Sequence, residues 1–129
     1  MQTFLPYSNF SKCAKVLDRQ RLCKQRVEVL QILKALNKET KGWQNHPITK
    51  MWKGYEECLI KYGLAICKEW INRGYKDTCY NKILKYSNKT RIYIEPNFIG
   101  NEDFHNDYKK ILLEKKYSHY SQYFNYDVK

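Results

Sequence analysis

Apolar residues fall along this chain in helical periods, separated by short polar stretches. Residues 1–8, Met-Gln-Thr-Phe-Leu-Pro-Tyr-Ser, show no such period, and Pro6 disfavours helix at Leu5, so they read as an extended arm. Asn9 or Ser11 suits the cap of a short helical turn running through Leu17. Asp18 stands at the N-cap of a longer helix that reaches Leu36. On that helix Leu22, Val29, Leu33 and Leu36 lie on one stripe, while Arg21, Lys24 and Glu28, at i, i+3 and i+7, lie on another. Residues 37–46 form a polar loop, and Pro47 suits the first turn of a second helix. Met51, Trp52, Tyr55, Leu59, Tyr62, Ile66 and Trp70 recur every three or four residues, so this helix is expected to continue to Arg73, with Gly74 as its stop. A short helix is expected over 78–86, an ordered loop rather than a strand over 87–101, and a last helix over 102–116 that buries Phe104, Tyr108, Ile111 and Leu112. The aromatic tail, with Tyr117, Tyr120, Tyr123, Phe124 and Tyr126, reads as packing back onto the domain, or as rings interleaved with Lys115 and Lys116 near a nucleic acid. The whole predicts a mainly α-helical, compact single domain over residues 1–129.

Composition sharpens this picture. A chain of 129 residues with 43% hydrophobic side chains is long enough to bury a real core and is not a disordered tail. Its net charge of +11 makes a polyanion the simplest partner. Compositional bias is the competing explanation, since Lys, Asn, Tyr and Ile are all plentiful; an acidic membrane or protein surface is a third. The five cysteines include no C-x-x-C pair, which argues against a zinc site and suits small core residues in a reducing compartment. No apolar run approaches the length of a membrane span, and the start of the chain has no signal-peptide core. A soluble, intracellular protein, cytoplasmic or nucleoid-associated, is the expectation.

Three features can carry chemistry. Glu28 sits on a stripe with Arg21 and Lys24; it reads either as a surface ion pair or as a carboxylate that stabilises a sugar cation or moves a proton. Lys12, Lys15, Arg19, Arg21, Lys24 and Arg26 crowd one segment against a single acid, Asp18; they read as a solvated face or as phosphate contacts. In Gly42-Trp43-Gln-Asn-His46-Pro47 the histidine precedes a helical proline, so capping or loop-bracing is its default role. Trp43 beside it can stack on a base or pack under the loop.

Several segments together resemble the pyrimidine-dimer DNA glycosylase family, typified by phage T4 endonuclease V, and most closely its short bacterial and viral branch. They are Met1-Gln-Thr-Phe-Leu-Pro-Tyr7, Val16-Leu-Asp-Arg-Gln-Arg-Leu22, Lys24-Gln-Arg-Val-Glu28, Gly42-Trp-x-x-His-Pro47, Met51-Trp-Lys-Gly-Tyr-Glu56, Glu69-Trp-x-x-Arg-Gly-Tyr75, and Pro96-x-x-x-Gly100 followed by Phe104-His105. The resemblance implies a small, mostly helical, metal-free and cofactor-free enzyme that acts on damaged or abasic double-stranded DNA, here expected as a monomer. In such enzymes an N-terminal amine attacks C1′ of the damaged nucleotide and displaces the base, and the resulting imine allows β-elimination. An essential glutamate on the first long helix maps onto Glu28, and Arg21 takes the place of a histidine near the lesion. Basic residues of this helix press on DNA, which is kinked, and a base opposite the lesion leaves the stack. Carried over, the resemblance makes Met1 and Glu28 catalytic. It assigns Arg21, Lys24, Arg26, Arg19 and Lys15 to DNA binding, with Arg26 alternatively packed along the core, and Gln2, Trp43 and His46 to the pocket. Gln2 is bulky and should block removal of the initiator methionine, so the amine of Met1 is the expected nucleophile unless processing exposes Gln2. Val27 stands where the family carries an arginine before its glutamate. Two other classes fit the same residues: a non-catalytic nucleic-acid-binding module, and an N-glycosidase for another modified base or nucleotide.

Overall fold

The computed structural model describes residues 2–124. Among them are seven helices and no strand: α1 (Phe10–Val16), α2 (Arg19–Leu36), α3 (Pro47–Trp52), α4 (Glu56–Asn72), α5 (Tyr80–Leu84), α6 (Glu102–Lys115) and α7 (Tyr117–Phe124). Asn9 rather than Ser11 caps α1, its Oδ1 accepting the Lys12 N–H at 2.9 Å. No helix among the described residues is long and apolar enough to cross a membrane.

The apolar stripe of α2 makes the core that its spacing predicts. Leu22, Val29 and Leu33 are fully buried and Leu36 is half-buried. Each such buried aliphatic side chain contributes about 1.5–3 kcal/mol. The stripe packs chiefly on α4. A Cβ on Gly63 of α4 would stand 2.6 Å from Val29 Cγ1 and 3.2 Å from Ile83 Cδ1, so a glycine permits this close approach to α2 and α5. Arg73, just past α4, donates from its second terminal nitrogen to the carbonyls of Ala14, Lys15 and Leu17. That guanidinium fixes the end of α1 against the end of α4, where unpaired carbonyls favour a cation.

The single helix expected over 47–73 is two. Gly54 adopts φ +89°, a left-handed conformation that glycine reaches without strain, and α3 ends there while α4 starts at Glu56. The period survives because both pieces still turn apolar residues inward; Trp52 and Leu59 are fully buried. The 87–101 segment is a loop, as expected. On α6 the buried positions are His105, Leu112 and Leu113, with Phe104, Tyr108 and Ile111 half-buried beside them. The tail does fold back: Tyr120 and Phe124 of α7 are fully buried, while Tyr117 is 62% exposed. Tyr126 lies outside the described residues.

The arm is extended, but it runs through the core. Thr3, Phe4, Leu5 and Pro6 are all buried. An extended segment cannot satisfy its own backbone, so side chains do it. Trp52 Nε1 donates to Thr3 Oγ1 at 3.1 Å, and the Tyr62 hydroxyl donates to the Phe4 carbonyl at 2.8 Å. The Gly100 N–H donates to His105 Nε2 at 2.8 Å, which leaves the proton on Nδ1 for the Leu5 carbonyl 2.7 Å away. Four of the five cysteines are core residues, and burial pushes the Cys13 thiol up to about 12.

Candidate active site

Because the arm crosses α2, the start of the chain meets the charged stripe of that helix. A hollow of about 260 Å³ opens there, lined by Gln2, Phe4, Gln20, Arg21, Lys24, Glu28 and Lys115. Three cations face one carboxylate, so the hollow suits an anionic ligand while keeping one acid inside. Within it the Gln2 N–H donates to Glu28 Oε2 at 3.3 Å. Gln25, one turn before Glu28 and wholly buried, donates from Nε2 to the same oxygen at 3.0 Å and to the Gln2 carbonyl at 2.7 Å. Its Oε1 accepts the Phe4 N–H at 3.1 Å and the Tyr62 hydroxyl at 2.6 Å. The Tyr62 proton is shared between Gln25 Oε1 and the Phe4 carbonyl, and burial raises this phenol well above its ordinary range.

Arg21 is aimed by a second acid, the buried Asp18. It donates to Asp18 Oδ1 at 3.2 Å, and the same oxygen takes the Tyr120 hydroxyl from α7. Asp18 therefore sits at the N-cap position of α2 without capping its amides; its carboxylate points to α7 and Arg21 instead. The Tyr120 hydroxyl in turn accepts the Asp18 N–H at 3.0 Å. Burial alone raises the Asp18 carboxyl. The hydrogen bonds from Tyr120 and Arg21, and the charges of Arg21 and Lys116, outweigh that and hold it below 3.8. Glu57 and Asp77 are held low in the same way, against burial, by Ser87, Asn88 and Arg91 for the former and by Arg26, Tyr80 and Cys79 for the latter. A carboxyl lowered by folding adds stability above its unfolded value and loses it as pH falls through the folded one. The urea midpoint is therefore expected to be flat above pH ~5 and to fall steeply below pH ~4. Asp18→Asn should lower the midpoint at pH 7 and flatten the acid limb, as unfolding by tryptophan fluorescence will show.

Of the residues assigned to the site by resemblance, Gln2, Arg21, Lys24 and Glu28 converge. Met1 lies outside the described residues. Arg26 takes its alternative place along the core: it is buried, paired with Asp77 at 2.6 Å and seated 4.7 Å over the Trp70 ring, because its position on α2 faces the core. Arg19 is exposed but nine positions from Glu28, about half a turn round the helix, and lies near the Tyr75 ring. Lys15 is exposed on α1 and outside the lining. Trp43 and His46 do not line the hollow either. His46 Nδ1 accepts the Ile48 N–H at 3.1 Å and caps α3, with the Trp43 ring edge-on at 5.1 Å. Gln25, Phe4 and Gln20 were not assigned to the site from sequence, and Lys115 was read only with the aromatic tail. The signal for Gln25 was its i, i+3 relation to Glu28; the contact of Lys115 with this site leaves no local trace in sequence. A larger hollow of about 670 Å³, between α1, α4 and residues 95–100, contains Lys61, Lys68 and Glu95 but nothing from α2.

A family model described as pyrimidine dimer DNA glycosylase matches residues 1–82. The chain belongs to the pyrimidine dimer DNA glycosylase family. No curated protein and no solved structure matches it significantly. Membership makes the chain a DNA-repair glycosylase in general, with DNA as its substrate. The match takes in the arm, Gln25, Glu28 and Tyr62, the parts that join the chain's start to its acid. It stops before α6 and α7, which supply Lys115 and the Tyr120 brace.

Proposed function

We propose that this family member removes damaged pyrimidines from duplex DNA and then cuts the strand, acting as a monomer through an imine on its own first residue. An α-amine is a weaker base than a lysine ε-amine, which suits the amine of Met1 to act as a neutral nucleophile. Its nitrogen attacks C1′, and the C1′–N bond to the base breaks with both electrons going to the base, which takes a proton from solvent and, in a dimer, stays joined to the neighbouring pyrimidine. Ring opening breaks C1′–O4′ and gives a C1′=N iminium, with the proton from nitrogen ending on O4′. Loss of a C2′ proton then expels the 3′ phosphate by breaking C3′–O3′, and water releases the enzyme. Glu28 offsets the positive charge that builds on the sugar and shuttles the proton to O4′. Arg21, Lys24 and Lys115 hold the flanking phosphates.

The observation that carries this reading is the contact between the Gln2 N–H and Glu28 Oε2. The α-amine is tethered one residue from that amide, and a residue spans at most about 3.6 Å. Incubation with dimer-containing, abasic and undamaged duplexes, and with free nucleosides, tests the proposal. Scission of one glycosidic bond in the first, with its base still joined to the neighbouring pyrimidine, nicking of the first two, and inaction on the others are expected. Binding without cleavage would make the chain a non-catalytic module, and cleavage of free nucleosides would make it an N-glycosidase of another kind.

A further inference from the structure

Gln25 uses every hydrogen-bonding position of its carboxamide. Oε1 takes the Phe4 N–H and the Tyr62 hydroxyl; Nε2 gives to the Gln2 carbonyl and to Glu28 Oε2. The Phe4 amide can only donate and the Gln2 carbonyl can only accept, so the network admits one orientation of the carboxamide. The side chain is fully buried, so water cannot replace any of these bonds cheaply. One rigid group thus fixes two others at once: the arm that leads to the α-amine, and the carboxylate beside it. It also divides the labour of Glu28. Oε2 is taken by two N–H donors, from Gln2 and Gln25, while Oε1 has no hydrogen bond among the described residues.

We infer that Gln25 is the positioning residue of the reaction, a latch that sets the separation between the chain's first residue and Glu28 and leaves Glu28 Oε1 as the oxygen that serves the sugar. The inference rests on the imine reading above and adds to it a residue that touches neither substrate nor the reacting atoms. Chemistry of this kind is sensitive to placement; an error of 1 Å costs about 10²-fold in rate.

Two variants test it, read by single-turnover borohydride trapping on an abasic duplex from pH 5 to 9, by DNA affinity, and by amide exchange. Gln25→Met keeps the length and removes all four hydrogen bonds. Trapping should fall about 10²-fold, with Kd changed by less than about threefold and faster exchange at the Phe4 amide. Gln25→Glu keeps the acceptor for Phe4 and Tyr62 and loses both donors, placing a second carboxylate against Glu28. Two such groups share one proton, so the acid limb of the pH profile should move up by about 1 unit or more. A side chain at 25 that does not reach Glu28 leaves that limb in place, and a merely structural role lowers rate and DNA affinity together in Gln25→Met. If Gln25→Met does not fold, the limb in Gln25→Glu decides. Trapping within about threefold of wild type with an unmoved limb overturns the inference. No trapping by the wild type removes the imine reading instead. The latch is then decided by exchange: unchanged protection of the Phe4 amide in Gln25→Met, or of the Gln2 amide in Gln25→Glu, overturns it.

Discussion

Glu28→Gln should lower imine trapping on an abasic duplex by about 10²–10⁴-fold, the range for loss of a positioned acid–base group. The substituted amide has nearly the same shape. Its oxygen can still accept from Gln2 and Gln25, which now bond to the carboxylate at 3.3 and 3.0 Å. What disappears is the negative charge and the ability to take a proton. The hollow holds Arg21, Lys24 and Lys115 against this one acid, so the variant is more positive there. DNA affinity should therefore stay within about threefold or tighten. A rate loss with intact binding places Glu28 in the chemistry. Equal losses of rate and affinity would instead make it a structural support.

The second large effect is on stability and concerns Arg26. Its guanidinium meets Asp77 at 2.6 Å, with the two side chains 10% and 1% exposed. Asp77 also accepts the N–H groups of Cys79 and Tyr80 and so holds the start of α5. Removing one member of a buried pair leaves the other charged and unpaired, which costs about 3–5 kcal/mol. Arg26→Met is thus expected to lose about that much in urea unfolding, even though Met fills much of the space over Trp70. The salt dependence of DNA binding separates this role from a phosphate contact. Each phosphate contact adds about 0.9 to the slope of log K against log salt. Lys24→Gln should flatten that slope by roughly one contact, and Arg26→Met should leave it unchanged. A flattened slope in Arg26→Met with unaltered stability would return Arg26 to the DNA interface.

The parts of this molecule that were legible in the sequence are those written in a local period. The two stripes of α2 follow from helical spacing, and with them the core leucines and the grouping of Arg21, Lys24 and Glu28. The cap of α3 at His46 was marked by Pro47, and the stop of α4 by Gly74. The break at Gly54 was masked because the apolar period continues across it, so one long helix and two short ones share a pattern. The buried path of the arm was not legible either. An extended segment has no helical period, and its partners Gln25, Trp52, Tyr62 and His105 lie far along the chain. The Asp18–Tyr120 bond joins residues 102 positions apart and has no local signature. Arg26 shows the limit of counting charges: its neighbours Arg21 and Lys24 face the hollow, and one further step round the helix turns it into the core.

The central claim is that the chain's first nitrogen does the chemistry beside Glu28. The most direct measurement is borohydride reduction of the enzyme on an abasic duplex, followed by proteolysis and mass mapping of the sugar-modified peptide. The modification is expected on the α-amine of Met1, and is absent from protein whose α-amine has been blocked beforehand. A modified Lys24 or Lys115 ε-amine, or an adduct undiminished by that block, would contradict it.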